Sequence, residues 1–247
     1  MSTCAVCRDR PAAATAVETM LPPGTIKACF FDAYGTLFDV NAAARALAGE
    51  LGAEWQPLAE TWRAKQLNYS WLRSLMGGAH ADFWQVTADA LDFALDERKL
   101  NRPDLRQRLL DLYYNLACFP EVPEMLRRLK QAGLITGILS NGAPAMLQAA
   151  CTSSGIAGLI DHCISVEEVG IYKPDPRIYR LVTDRLHLPA SAIAFHSSNG
   201  WDIHAGKRAG FYAIWINRAN QPAERLPNPP DVMLTSLSDV PAVLGVT

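Results

Sequence analysis

Long apolar runs are missing from this 247-residue chain, and no stretch approaches the roughly 20 apolar residues that a membrane-crossing helix needs. An excess of charge of either sign is missing too. With 23 Lys and Arg against 25 Asp and Glu, the net charge of −2 gives no electrostatic reason to bind nucleic acid or an anionic membrane. The 6 cysteines do not form the dense pattern of a disulfide framework. Cys4 and Cys7 make a lone C-x-x-C without the second ligand pair that a zinc site requires. Cys29, Cys118, Cys151 and Cys163 stand in apolar surroundings and read as buried, reduced thiols of a cytoplasmic protein. Residues 1–24 are rich in Ala, Pro and Thr and lack the contiguous apolar segment of a secretory signal, so they read as a disordered extension.

What remains is 49% apolar and 19% charged, enough to bury the core of one large or two modest domains. The most informative stretch is Phe30-Phe31-Asp32-Ala33-Tyr34-Gly35-Thr36-Leu37-Phe38. The apolar run Ile26 to Phe31, broken only by Lys27, has the composition of a buried parallel strand. It ends in a carboxylate, and Gly35 then permits a sharp turn. In open α/β sheets, sites form just beyond the carboxyl ends of strands, which puts Asp32 where a nucleophile or a metal ligand would stand.

From about Asn41 to Phe119 the periodicity is helical. Trp62, Tyr69, Leu72 and Met76 fall on one helical stripe, and Arg63, Leu67 and Ser70 on another, until Gly77-Gly78 stops the helix. Further helices are predicted over Asp82 to Leu95 and Pro103 to Leu116. Beyond Pro120 helices and strands alternate, with strands at Leu134 to Leu139, Ile160 to Val166, Ile193 to His196, Tyr212 to Ile216 and Val232 to Leu234. The predicted fold is α/β: a Rossmann-like parallel-sheet core over 25–40 and 120–247, with an inserted all-helical cap over 41–119. There is no internal repeat.

Four polar clusters then fall at strand ends or in loops: Asp32 to Thr36, Ser140-Asn141, Lys173, and Ser197 to Asp202. Loops at one edge of a parallel sheet converge. A carboxylate nucleophile must be ionised and held still, and a lysine beside it favours the charged form, which makes Lys173 the candidate partner. Ser140, Asn141 and the amides near Gly35 suit an anion. Asp202 with Asn199 and Lys173 could orient a hydrolytic water. Taken singly, Asp32, Ser140 and Asp202 also read as turn or helix-cap residues, and Lys173 as a surface lysine.

The stretch Phe31 to Val40 resembles the first motif of the haloacid dehalogenase superfamily, and more closely that of the L-2-haloacid dehalogenases. Trp62-Arg63 with the helix running to Met76, Ser140-Asn141-Gly142, Tyr172-Lys173-Pro174-Asp175 and Ser197 to Asp202 carry the resemblance to the C-terminus. It implies hydrolysis of short L-2-haloalkanoic acids to D-2-hydroxy acids, with inversion at C2, through an aspartyl ester on Asp32. It further implies that Arg63, Asn141 and Trp201 cradle the leaving halide, and that Ser140 and the Asp32-loop amides hold the substrate carboxylate. Lys173 would keep Asp32 charged, with Thr36, Tyr179, Ser197, Asn199 and Asp202 supporting nucleophile and water. Tyr34, Leu67, Phe83 and Trp201 would wall the pocket. Dimerisation is expected from the family, and no cofactor.

The superfamily's phosphatases resemble Asp-x-Asp-Gly-Thr instead. Tyr34 occupies the second acidic position here, and Ser198 stands where those enzymes carry an acid four residues before the one matching Asp202. With two oxygen anions fewer for a hard cation, no metal requirement is expected. A small-molecule phosphatase, a C–F or strained-ring amino acid hydrolase and a catalytically dead binding protein are the competing readings. Ala64, where a glutamine commonly follows the arginine, and the irregular Gly77 to His80 are expected to widen the pocket. His196 is polar for a strand end and is given no role.

Overall fold

The apolar run leading into Asp32 becomes the first strand, β1 (Ala28–Phe31), buried along its whole length in a computed structural model that describes residues 24–246. Five more strands follow: β2 (Ile135–Ser140), β3 (His162–Ser165), β4 (Ile193–Ser197), β5 (Tyr212–Ile216) and β6 (Val232–Leu234). All pair in parallel in the spatial order β3-β2-β1-β4-β5-β6. The chain therefore steps from β1 to β2 and β3 on one side, then crosses back to lay β4, β5 and β6 on the other. Loops leaving β1 and β4 part at this reversal and leave a crevice at the strands' carboxyl ends. Phe31 lies opposite both Ile138 and His196 in register, and the Asp32 amide donates to the His196 carbonyl at 2.9 Å. Asp32 thus sits one residue past the last paired position, directly at the crevice.

Between β1 and β2 the chain inserts α1 (Ala42–Ala46), α2 (Ala48–Leu51), α3 (Trp55–Met76), α4 (Phe83–Arg98) and α5 (Pro103–Tyr114) before α6 (Val122–Gln131) returns it to the sheet. The remaining helices are α7 (Pro144–Ser153), α8 (Pro176–Leu186), α9 (Gly200–Arg208) and α10 (Val240–Val243). α6 packs on β2, α7 on β3, and α9 on β4 and β5, which covers the sheet and accounts for its nearly unbroken apolar strands. The two chain segments joining the helical insertion to the sheet lie side by side. The Phe119 amide donates to the Leu37 carbonyl at 2.9 Å, and Phe38 bridges Cys118. A second clasp lies across the crevice: Tyr172 OH donates to the Ala81 carbonyl, the Tyr172 amide donates to Ser74 Oγ at 3.1 Å, and His80 meets Glu167 at 2.8 Å.

Two expectations need correction. The stripe predicted on α3 from Trp62 through Tyr69, Leu72 and Met76 is not its buried face. That face is Leu58, Ala59, Trp62, Gln66 and Ser70, while Leu72, Leu75 and Met76 are exposed, Leu75 at 83%. Gln66 and Ser70 are accepted inside because each finds hydrogen-bond partners there, a compensation that hydropathy periodicity does not register. Of the four thiols expected to be buried, Cys29 and Cys151 are, Cys118 is half-buried and Cys163 is exposed. Cys163 belongs to β3, the edge strand, where one flank of the sheet has no neighbour among the described residues. The C-x-x-C of Cys4 and Cys7 lies outside the described residues.

Candidate active site

Asp32 is only 6% exposed at the end of β1. The turn behind it depends on Gly35, whose φ of +93° is costly for other residues and whose added Cβ would stand 3.2 Å from Ser198 Oγ. This turn folds Thr36 back beneath the carboxylate. Thr36 Oγ1 lies 3.1 Å from Asp32 Oδ2 and accepts the Ser198 amide at 2.8 Å. Asn199, the residue before α9, donates from Nδ2 to the same Oδ2 at 2.9 Å. Ser197 accepts the Asn199 amide at 3.1 Å, so it holds Asn199 and reaches Asp32 only through it.

Lys173, which in isolation reads as a surface lysine, is fully buried in the loop before α8. Its Nζ lies 3.3 Å from Asp32 Oδ1, 2.9 Å from Asp202 Oδ2 and 5.0 Å from the Phe195 ring centroid. Asn141, one residue past β2, fixes that loop by accepting the Lys173 amide on Oδ1 at 3.0 Å. Asp202 is also fully buried and is no helix cap: Tyr179 OH donates to its Oδ1 at 2.6 Å. Burial lifts the Asp202 carboxyl above its ordinary pKa, while the Lys173 charge pulls the other way. Burial, with Asp202 adding to it, pushes the Tyr179 phenol far above its usual range, so it remains an O–H donor. One ammonium faces two carboxylates in a site with little water, where their attraction is weakly screened.

Arg63 enters from α3. Nη1 donates to Gln66 Oε1 at 2.7 Å, and Nη2 donates to the Tyr34 carbonyl at 3.1 Å and to Asn199 Oδ1 at 3.4 Å. Each of these acceptors is a neutral oxygen, so the hydrogen bonds orient the guanidinium without cancelling its charge. Asn199 is shared, giving Nδ2 to Asp32 and Oδ1 to Arg63, and one side chain therefore spans carboxylate and cation.

Tyr34 is 3% exposed, with its ring centroid 5.7 Å from those of Phe83 and Tyr113. Gly142 allows this, since a Cβ there would stand 2.7 Å from Tyr34 Cε2. Burial pushes the Tyr34 phenol well above its ordinary range and makes it a poor proton donor. Ser140 Oγ accepts the Gly142 amide at 3.0 Å and keeps its own O–H to give. Of the other residues expected to wall the pocket, Phe83 packs on Tyr34, Trp201 packs edge-on against Trp71 with centroids 5.3 Å apart, and Leu67 is half-buried one turn beyond Arg63. At the two positions expected to widen the pocket, Ala64 is exposed on α3 and His80 is engaged by Glu167 and Tyr172. Sequence reasoning missed Gln66, Thr87 and Tyr113, three buried polar side chains behind Arg63. A glutamine between Lys65 and Leu67 on a helix carries no signal of burial. Among the described residues, no group of three or more His, Cys, Asp or Glu could hold a metal ion.

A parallel sheet in this strand order, a helical insertion after its central strand and a buried carboxylate at that strand's end define a class of Rossmann-like α/β enzymes. The family profile of haloacid dehalogenase-like hydrolases matches residues 26–210. (S)-2-haloacid dehalogenase 1 of Pseudomonas sp. (strain CBS-3) is 48% identical over 220 residues, spanning 89% of this chain and 96% of the relative. (S)-2-haloacid dehalogenase 4A of Burkholderia cepacia is 44% identical over 87% of this chain and 94% of its own. Among solved structures, the L-2-haloacid dehalogenase from Xanthobacter autotrophicus with chloropropionic acid covalently bound superposes with a TM-score of 0.82, at 34% identity, covering 89% of this chain and 98% of the other. The chain belongs to the haloacid dehalogenase-like hydrolases and, within them, to the L-2-haloacid dehalogenases.

Proposed function

We propose that this chain hydrolyses short-chain L-2-haloalkanoic acids to D-2-hydroxyalkanoic acids through an ester on Asp32. The observation that carries this reading is the pairing of a lysine-held carboxylate with an arginine whose acceptors are all neutral, bridged by Asn199. Such a pair suits a displacement in which the carboxylate attacks carbon and an anion departs toward the cation. Asp32 Oδ2 is held by Asn199 and Thr36, and Oδ1 meets Lys173 at the longer distance of 3.3 Å, which leaves Oδ1 the freer nucleophile. Its lone pair forms the C2–O bond as the carbon–halogen bond breaks, and halide takes the bonding electrons, with inversion at C2. Arg63, together with Asn141 and Trp201, receives the halide, and a fixed donor of this kind contributes about 3–4 kcal/mol to a transition state. Ser140 and the amides of the Asp32 loop hold the substrate carboxylate.

Water then attacks the ester carbonyl of Asp32, so the configuration set at C2 persists into the product. Overall, one water is consumed and one halide and one proton are released. Asn199, Lys173 and Asp202 orient the water, Tyr179 steadies Asp202, Thr36 and Ser197 steady the loops, and Tyr34, Leu67 and Phe83 close the apolar side. Neither step needs a Lewis acid, in keeping with Tyr34 and Ser198 at the two positions where the superfamily's phosphatases carry acids. The helices of 41–119 serve as a cap over a core formed by 25–40 and 120–247. Leu72, Leu75 and Met76, exposed together at the end of α3, are the face on which two copies pair, and the unbridged thiols fit a cytoplasmic setting.

The test is halide release from L- and D-2-chloropropionate in EDTA, beside a magnesium-supplemented assay on p-nitrophenyl phosphate. Chloride from the L form alone is the expected result, and Arg63→Ala should lower its rate by about 10²–10³. Phosphate release in magnesium with no chloride would replace this reading by the phosphatase one.

A further inference from the structure

Behind Arg63 lies a chain of hydrogen bonds, and none of the roles above uses its inner members, Thr87 and Tyr113. Thr87 Oγ1 donates to the Phe83 carbonyl at 2.6 Å. Its only proton is spent there, so toward Gln66 the hydroxyl can only accept, and the atom 2.7 Å away on Gln66 must be the Nε2 amide. That choice turns Gln66 Oε1 toward Arg63, where it accepts from Nη1 at 2.7 Å. Tyr113 OH closes the network, 3.1 Å from Nε2 and 3.3 Å from Oε1. Gln66 is 1% exposed, Thr87 fully buried and Tyr113 3% exposed, so water does not compete for any of these bonds. Trp62 donates its indole N–H to the Thr87 carbonyl at 2.9 Å and fixes α3 against α4 at this level.

We propose that Gln66, its amide ordered by Thr87 and Tyr113, is a positioning residue that fixes the Arg63 guanidinium for the departing halide and thereby sets how well the enzyme copes with poor leaving groups. The inference rests on the reading of Arg63 given above. An arginine side chain has many rotamers, and its end is useful to a transition state only if held in place before charge develops there. Gln66 does so at Nη1, the terminal nitrogen that Tyr34 and Asn199 do not hold, with an acceptor that is strong in geometry yet neutral. An acid at this position would orient Arg63 equally well but cancel the charge the halide needs. Chloride carries its charge on a smaller atom than bromide and leaves less readily, so its departure leans harder on the cation.

The experiment is halide release in a single turnover, enzyme in excess, from L-2-chloropropionate and L-2-bromopropionate. Gln66→Met keeps the volume and removes the acceptor. Loss of one hydrogen bond to a charged group predicts chloride release slowed about tenfold and bromide release less, with KM moved by under about threefold. In an Arg63→Ala background the same substitution should cost under about twofold, because its effect passes through the arginine. Thr87→Val should slow chloride release in the same direction, and Thr87→Ser, which keeps the hydroxyl, should restore it. This pair decides the matter if Gln66→Met does not fold. Equal slowing of both halides, an equal factor in both backgrounds, or Thr87→Val no slower than Thr87→Ser would overturn the proposal and leave Gln66 a packing residue. Wild-type rates in Arg63→Ala alone would instead remove the Arg63 reading, and this inference with it.

Discussion

Replacing Lys173 by Met tests the central charge arrangement most directly. The ammonium lies 3.3 Å from one buried carboxylate and 2.9 Å from another. At an effective dielectric of about 20 each contact is worth about 5 kcal/mol of gross attraction. Desolvation of the ammonium cancels much of this, and removing one member of a buried ionic cluster leaves a net loss of about 3–5 kcal/mol. For a chain of this length that corresponds to a fall in Tm of about 10 °C at neutral pH. The pH dependence discriminates further. Without Lys173, the charge that opposes burial at Asp202 is gone, and the folded variant keeps a proton on that carboxyl that the unfolded chain has released above about pH 4. The native state then binds more protons than the unfolded state, so the variant loses stability as pH rises through that window. In acid the order reverses. Once Asp202 is protonated, the wild type carries a buried cation that has lost its nearer counter-charge and the variant carries none. The Tm difference should therefore shrink as pH falls from 7 and change sign near or below about pH 4. Thermal unfolding by circular dichroism from pH 3.5 to 8 measures this, and a Tm gap constant across the range would refute the argument.

Three further outcomes are expected. Asp32→Asn should abolish halide release, and no ester adduct should appear by intact mass after incubation with L-2-chloropropionate. His196 is buried, stacks on Phe31 with ring centroids 4.4 Å apart, and its imidazole is pushed down by burial to about 4. A depressed histidine stabilises the fold above its unfolded value near 6.5 and withdraws that stability as pH falls toward 4, a loss of about 3 kcal/mol that His196→Phe should largely remove in pH-dependent unfolding. Leu75→Glu, at an 83% exposed position, should shift sedimentation from dimer to monomer with little change in the monomer's fold, and an unchanged sedimentation coefficient would remove the proposed pairing face.

Much of the sheet is legible in the chain because local signals agree there. Proline at the first turn fixes where α7 and α8 begin, and the apolar runs ending in Asp32, Ser140 and Ser197 mark strand ends without ambiguity. Asp32 is visible because an apolar strand, a carboxylate and a glycine fall within a few residues. Lys173 is not visible alone: its burial results from a loop held by Asn141, 32 residues earlier in sequence. The inner face of α3 is harder still. Gln66 and Ser70 lie inside and Leu72 and Met76 outside, the reverse of their hydropathies, because Gln66 finds partners on two other helices, Ser70 returns its hydroxyl to the Leu67 carbonyl of its own helix, and the described residues leave the second pair exposed. Cys163 fails for a related reason, since no periodicity tells an edge strand from a central one.

The position of Tyr34 bears on how such a chain changes over evolutionary time. Its ring lies among Phe38, Phe83 and Tyr113 and against Gly142, so the residue that stands in place of a phosphatase acid is also a plug between sheet and helices. Exchanging it for aspartate would put a carboxylate among three aromatic rings and loosen the plug. It would still recruit no cation until Ser198 changed as well, and that change would give up the contact of Ser198 Oγ with Thr36 Oγ1 while its amide kept its own bond to Thr36. Each single step toward the other chemistry is expected to cost packing or a hydrogen bond without completing a cation site. The barrier between two reactions on one scaffold is, at this position, an epistatic one, built from packing.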